Sequence, residues 1–194
     1  MPVALHPSSK QQSSDESYFA FCEANPDLRV ERTAVGEIVV VPPAGFESDD
    51  RNTEVVAQLR IWAKNDGRGR ASGPTAQFFL LDGSALSPDA AWVSNELRKR
   101  MSERERKGFP YLCPEFVIEV LSPTDRLRKA RQKMERWIAN AAPLAWLIDG
   151  DAETVYIYEK DKPVETRGGI LKLAGKGPVK GFTLKLRTIW DGLK

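Results

Sequence analysis

Residues 113–123 read CPEFVIEVLSP, and the fold turns on how this stretch is built. Phe116, Val117, Ile118, Val120 and Leu121 form a short, nearly continuous apolar run, which predicts a strand buried on both faces. Alternation puts Val117, Glu119 and Leu121 on one face and Phe116, Ile118 and Val120 on the other. Glu119 is the carboxylate inside the run. Its charge costs several kcal/mol unless it is paired, protonated or bound to a cation. The rest of the chain has to supply that partner.

Downstream, Ser122–Asp125 opens a long helix reaching about Ala142, with Leu127, Ala130, Met134, Trp137, Ile138 and Ala141 as its apolar stripe. Another apolar strand, Ala145–Asp149, follows, so the strand–helix–strand unit predicts a parallel right-handed crossover. Thr154–Glu159 is a further strand, and Glu165–Leu186 reads as edge strands with Gly-rich turns, ending at Trp190. Upstream, a short helix over Glu16–Ala24 and a hairpin over Leu28–Val41 are expected. A helix capped by Asp49 or Asp50 covers Arg51–Lys64, with Val55, Val56, Leu59, Ile61 and Trp62 inward. Asn65–Gly73 reads as a Gly/Arg loop, Ala76–Leu81 as a strand, and Asp82-Gly83 as a hairpin turn leading back through Ala90–Val93. Asn95–Lys107 reads as a charged helix containing a capping box from Ser102 to Glu105. The order predicts the α/β class: a mixed β-sheet flanked by helices, in one domain over 16–194 behind a flexible tail, 1–15.

Composition narrows the chemistry. A 194-residue chain with 41% hydrophobic and 29% charged residues has the profile of one globular domain. It shows no membrane span, and its start lacks the basic-then-apolar layout of a signal peptide, so a cytoplasmic protein without a membrane partner is expected. Two cysteines, Cys22 and Cys113, are too few for a disulfide framework or a four-sulfur zinc site. His6, the single histidine, sits in the leader, which excludes Ser-His-Asp, Cys-His and histidine-rich zinc chemistry. The GRGRASG segment lacks the Lys-Ser/Thr ending of a phosphate loop. Carboxylates, lysines and arginines remain, and a net charge of +2 does not by itself imply a polyanionic partner.

Asp89 is the best second acid. Pro88 fixes the chain before it, and Ala90-Ala91 leave room beside it. Two neighbouring carboxylates repel, which favours a shared proton or a divalent cation such as magnesium, bound by oxygen alone. The plainer alternative pairs Glu119 with an arginine and leaves Asp89 capping a turn. Lys133 lies on the flank of the helix stripe, one turn before Trp137, where its stem can run along the buried face. Arg126, Arg128, Lys129, Arg131 and Arg136 make the rest of that helix basic. Acids inside a basic rim suit a phosphodiester substrate.

Four ordered segments carry a family resemblance: SALSPDAAWVS (Ser84–Ser94), CPEFVIEVLSPTDRL (Cys113–Leu127), KMERWIAN (Lys133–Asn140) and LAWLID (Leu144–Asp149). Together they resemble the restriction-endonuclease-like family once known as a domain of unknown function, placed in the PD-(D/E)xK nuclease superfamily. The resemblance runs from about Glu31 to Trp190. Pro88-Asp89 corresponds to the PD pair and Glu119-Val120-Leu121 to the (D/E)xK tripeptide. Leu121 stands where the superfamily has its lysine. Lys133 matches the lysine that the family carries on the following helix, with Lys129 as a second candidate. Glu54, in Asn52-Thr53-Glu54, resembles an additional acid.

The resemblance implies a restriction-endonuclease-like fold and a magnesium-dependent DNA endonuclease. Asp89, Glu119 and the Val120 carbonyl would hold Mg2+, with Mn2+ as a substitute, and Lys133 would orient water or stabilise the phosphorane. Arg126, Arg128, Lys129 and Arg131 would contact DNA phosphates, with Arg68 and Arg70 as further candidates. Cutting both strands favours a homodimer. The alternatives are a catalytically inactive nucleic-acid-binding or regulatory protein on the same fold, and a structural protein with a buried Glu119–arginine pair.

Overall fold

A computed structural model describes residues 4–5, 14–123 and 126–193. The chain opens with β1 (Ala4–Leu5), α1 (Asp15–Ala24), β2 (Val30–Arg32) and β3 (Ile38–Val40). It continues through α2 (Phe46–Asp66), β4 (Gly69–Ser72), β5 (Phe78–Phe79), β6 (Ala85–Leu86) and β7 (Ala90–Ser94). Two short helices, α3 (Asn95–Arg100) and α4 (Glu103–Lys107), precede the central strand β8 (Phe116–Val120). Then come α5 (Leu127–Ala139), β9 (Leu144–Asp149), β10 (Thr154–Glu159) and β11 (Glu165–Gly168). The hairpin of β12 (Lys172–Ala174) and β13 (Thr183–Lys185) leads into α6 (Arg187–Asp191).

These elements group into two compact units, each drawn from separated stretches of chain. The smaller unit comprises Met1–Pro43, Ala76–Ser87 and Met101–Cys113. Its sheet has the order β1-β3-β2-β6-β5 and buries Tyr18, Val30, Ile38, Phe79 and Ala85. Buried with them is Arg32, 3% exposed, which forms an ion pair with Asp15. Its guanidinium lies 5.1 Å from the Tyr18 ring centroid and 5.3 Å from that of Phe79. Within the leader, Ala4–Leu5 pair with β3 and Ser14 caps α1. The remainder of the leader, including His6, lies outside the described residues.

The larger unit comprises Ala44–Thr75, Pro88–Arg100 and Pro114–Lys194. Its six-stranded sheet runs β11-β10-β9-β8-β7-β4. Strands β8 and β9 are parallel, as the crossover through α5 requires, and every other neighbouring pair is antiparallel, so the sheet is mixed. All five residues of β8 are buried. Phe116, Ile118 and Val120 join a core with Val55, Leu59 and Ala63 of α2 and Trp146 of β9. The opposite face, which carries Val117 and Glu119, receives α5 through Trp137. The mixed sheet with helices on it is the architecture read from the sequence.

Several boundaries differ from the sequence reading. Helix α2 begins at Phe46, behind Gly45, instead of near Arg51. Asp49 is a first-turn acid favoured by the helix dipole, and Arg51 is buried by bonds to Glu47 (2.9 Å) and Asp151 (2.8 Å). Ile61 is 64% exposed, because Val55, Leu59 and Ala63 at steps of four already define the inward stripe. The expected helix over Asn95–Lys107 is two helices, because Ser102 leaves the helical path to form the capping box with Glu105 that starts α4. Helix α5 is shorter at both ends than expected, and Thr124 and Asp125 lie outside the described residues. The Asp82-Gly83 turn joins β5 to β6, with Gly83 at a φ of 81°, while β7 belongs to the other sheet.

The Gly/Arg loop contains an edge strand. Gly69–Ser72 pairs with β7 because Gly69 has no side chain: a Cβ there would lie 2.5 Å from the Trp92 ring and from the Val93 carbonyl oxygen. Gly69→Ala is therefore expected to destabilise the larger unit by about 1–3 kcal/mol through overpacking. Thermal unfolding of the variant measures this, and an unchanged midpoint would mean that β4 moves without cost.

Candidate active site

The β7–β8 register determines where the two acids stand. Ala90 faces Ile118 and Ala91 faces Val117 across the antiparallel pair. One step further along each strand sets Asp89 opposite Glu119, on the face shared by Ala91 and Val117. Asp89 Oδ2 accepts a hydrogen bond from the backbone N–H of Val120 at 2.8 Å. That bond ties the first acid directly to the strand carrying the second.

Glu119 is 8% exposed and has two donors on α5. Lys133 Nζ lies 3.1 Å from Oε1 and 3.2 Å from Oε2, and Trp137 Nε1 donates to Oε1 at 2.9 Å. Residues 133 and 137 are one helical turn apart, so both reach the sheet from the same side of α5. Lys133 is thus a positive charge beside Glu119, where the plainer sequence alternative expects an arginine. At an effective dielectric of about 20 the pair attracts by roughly 5 kcal/mol, a gain that desolvating two ions largely offsets. The pair therefore holds a geometry more than it adds stability.

The other predicted positions fall as follows. Lys129 is exposed on α5, so of the two candidate lysines Lys133 is the one on Glu119. Leu121 completes the strand, donating its N–H to the Ile148 carbonyl at 2.8 Å. Glu54 is on α2, which packs on the Phe116 face, and accepts from Gln58 Nε2 (2.8 Å) and Thr188 Oγ1 (3.2 Å). The structure does not bring it into the group formed by Asp89, Glu119 and Lys133. Arg126 and Arg128 are exposed. Arg131 is exposed too, but its guanidinium stacks 4.5 Å from the Tyr156 ring. Arg128 and Arg131 line a shallow depression of about 390 Å³ on α5. Arg68 is held by Asp66 and the Lys180 carbonyl, whereas Arg70 projects from the edge strand.

The helical spacing places Trp137 in the apolar stripe alone. A signal was present: a buried indole seeks an acceptor for its N–H, and the i, i+4 relation to Lys133 aims both at one point.

Magnesium takes oxygen donors, usually one or two carboxylates with several waters. Among the described residues no group of three or more His, Cys, Asp or Glu is placed to hold a metal. Two carboxylates and a backbone carbonyl nonetheless match the donor set of a largely hydrated magnesium ion, so Asp89, Glu119 and Val120 fit the group in chemistry.

No helix among the described residues is long and apolar enough to cross a membrane. No curated protein matches the chain. Among solved structures, a protein described as "a putative nuclease belonging to DUF820 from Anabaena variabilis ATCC 29413" superposes with a TM-score of 0.71 at 20% identity, covering 87% of this chain and 93% of that one. At that identity the likeness establishes the fold. Residues 15–187 match the family described as "Putative restriction endonuclease". With the match spanning both acids, the long helix and the mixed sheet, the chain belongs to the Uma2 family.

Proposed function

We propose that this chain hydrolyses DNA phosphodiester bonds as a magnesium-dependent endonuclease. The supporting observation is the single cluster in which Asp89 is anchored on Val120 N–H and buried Glu119 is held by Lys133 and Trp137. Asp89, Glu119 and the Val120 carbonyl would hold Mg2+ or Mn2+. When bound, the ion lowers the pKa of a coordinated water and offsets charge on the phosphate. The Lys133 ammonium, set beside Glu119, would stabilise charge developing on the phosphate. Trp137 restrains the Glu119 carboxylate through Oε1. Arg126, Arg128 and Lys129 position DNA by phosphate contacts, and Arg131, stacked on Tyr156, adds charge to that surface. A two-fold pair of chains would present one site to each strand.

One observation favours the second reading, an inactive nucleic-acid-binding or regulatory protein. Lys133 already compensates Glu119, so the buried acid is stable without an ion. Incubation with supercoiled plasmid separates the two. Nicking in magnesium that chelator abolishes supports the nuclease; retarded but intact plasmid in both conditions supports binding alone. Lys133→Met is expected to lower turnover by about a hundredfold or more while changing metal affinity much less. Single-turnover cleavage with a parallel Mn2+ titration checks it, and wild-type turnover would remove Lys133 from the reaction.

A further inference from the structure

The smaller unit contains a cavity of about 270 Å³ walled by Phe19, Phe79, Phe109 and Tyr111. The rings brace one another: Phe79 and Tyr111 stack at 4.8 Å, and Phe109 meets Phe19 edge-on at 5.2 Å and Phe79 at 5.8 Å. Tyr111 is 55% exposed, so this wall opens to solvent. Its phenol stays neutral, since burial and the neighbouring Asp15 carboxylate push its pKa up.

The polar part of the lining is mainly acidic. Among the described lining residues Asp15, Glu16 and Glu105 stand with one cation, the exposed Arg104, and Asp15 is also paired with the buried Arg32. Glu105 is held by neutral donors, Ser102 N and Oγ (both 2.7 Å) and Tyr111 N (3.3 Å), so its charge is fixed in place without a counter-ion among them. The same bonds keep its carboxyl below the usual range. Acids at the rim repel phosphate, which disfavours a nucleic-acid backbone here.

The unit already shows what such surroundings accept. Arg32 places its guanidinium against Tyr18 and Phe79 and pairs with Asp15. Phe79 and Asp15 also line the cavity, which therefore adjoins that guanidinium, and the half-exposed Tyr111 with Glu16 and Glu105 repeats its aromatic and acidic chemistry toward solvent. Ring faces attract cations, and fixed carboxylates add to that attraction. The volume suits a group of side-chain size and is small for a drug-sized ligand.

We infer that this cavity binds an organic cation, an alkylguanidinium or alkylammonium head inserted among Phe19, Phe79, Phe109 and Tyr111 under the carboxylates of Glu16 and Glu105. None of these residues belongs to the Asp89–Glu119 group, so this site and the proposed nuclease stand or fall separately.

Calorimetric titration of the full chain with n-butylguanidinium and with its uncharged isostere n-butylurea is the test. The guanidinium is expected to bind roughly 5- to 30-fold more tightly than the urea, with affinity falling as salt rises. Glu16→Gln, at a solvent-facing position, is expected to weaken it by about three- to tenfold while melting like wild type, and Tyr111→Ala by a similar factor with a lower midpoint from the lost stacking on Phe79. A blocked Gly-Arg-Gly peptide identifies the source: binding as tight as butylguanidinium means a polypeptide side chain, and weaker binding means a free small amine. Equal affinity for butylurea, tighter binding of adenosine, or binding unaffected by both variants would overturn the inference.

Discussion

Glu119→Gln is expected to abolish magnesium-dependent cleavage, by at least about a thousandfold, while leaving the protein folded. A loss of that size corresponds to roughly 4 kcal/mol of transition-state stabilisation. The amide keeps an oxygen to accept from Trp137 Nε1, so the bond that now measures 2.9 Å can persist. Lys133 loses the charge of Glu119, but its side chain is 26% exposed and can turn toward water. Removing one partner of a buried pair is costly when the other charge stays buried, and the partial exposure of Lys133 limits that cost here. Asp89→Ala should give the same loss of cleavage at a modest further cost, because Val120 N–H loses its 2.8 Å acceptor. The paired measurements are nicking rate and thermal midpoint under matched salt. Wild-type cutting by either variant would take the acids out of the reaction.

Trp137→Phe carries the second large effect, and it acts in two ways. The indole is fully buried, so trimming it leaves a void and strips Oε1 of a donor; together these should lower stability by about 1–3 kcal/mol. Partners that orient a metal-binding group typically matter by 10- to 100-fold in metal affinity, and a loss of about that size is expected for Mn2+. Trp92→Phe is the matched control. Trp92 is 3% exposed, and its Nε1 has no hydrogen-bond partner among the described residues. It also lies on the α2 side of the sheet. That variant should lose packing and keep its metal. Mn2+ titration followed by electron paramagnetic resonance compares the three proteins. Equal affinity in all of them would reduce Trp137 to packing.

Much of this was legible in the order of residues because it depends on local patterns. An apolar run broken by one acid marks β8, and the amphipathic stripe after it marks α5. The Ser102–Glu105 spacing marks a helix start, which the structure shows as a reciprocal cap. Asp89 could be singled out from Pro88 and the two alanines after it, and Lys133 from its place on the helix flank. Position alone left Lys129 open and could not exclude Glu54. The partner of each carboxylate depends on which helix face meets which sheet face.

By itself the sequence determined that a buried strand carries a carboxylate, that a basic amphipathic helix follows it, and that the available chemistry is acids and amines without histidine or thiolate clusters. Only the tertiary structure decided that Asp89 stands opposite Glu119, that Lys133 and Trp137 both close on that acid, and that Glu54 stays with Gln58 and Thr188. Periodicity assigns a residue to a face of its own element, a short-range matter. Register between strands and the seating of a helix on a sheet come from long-range packing, which no local spacing encodes.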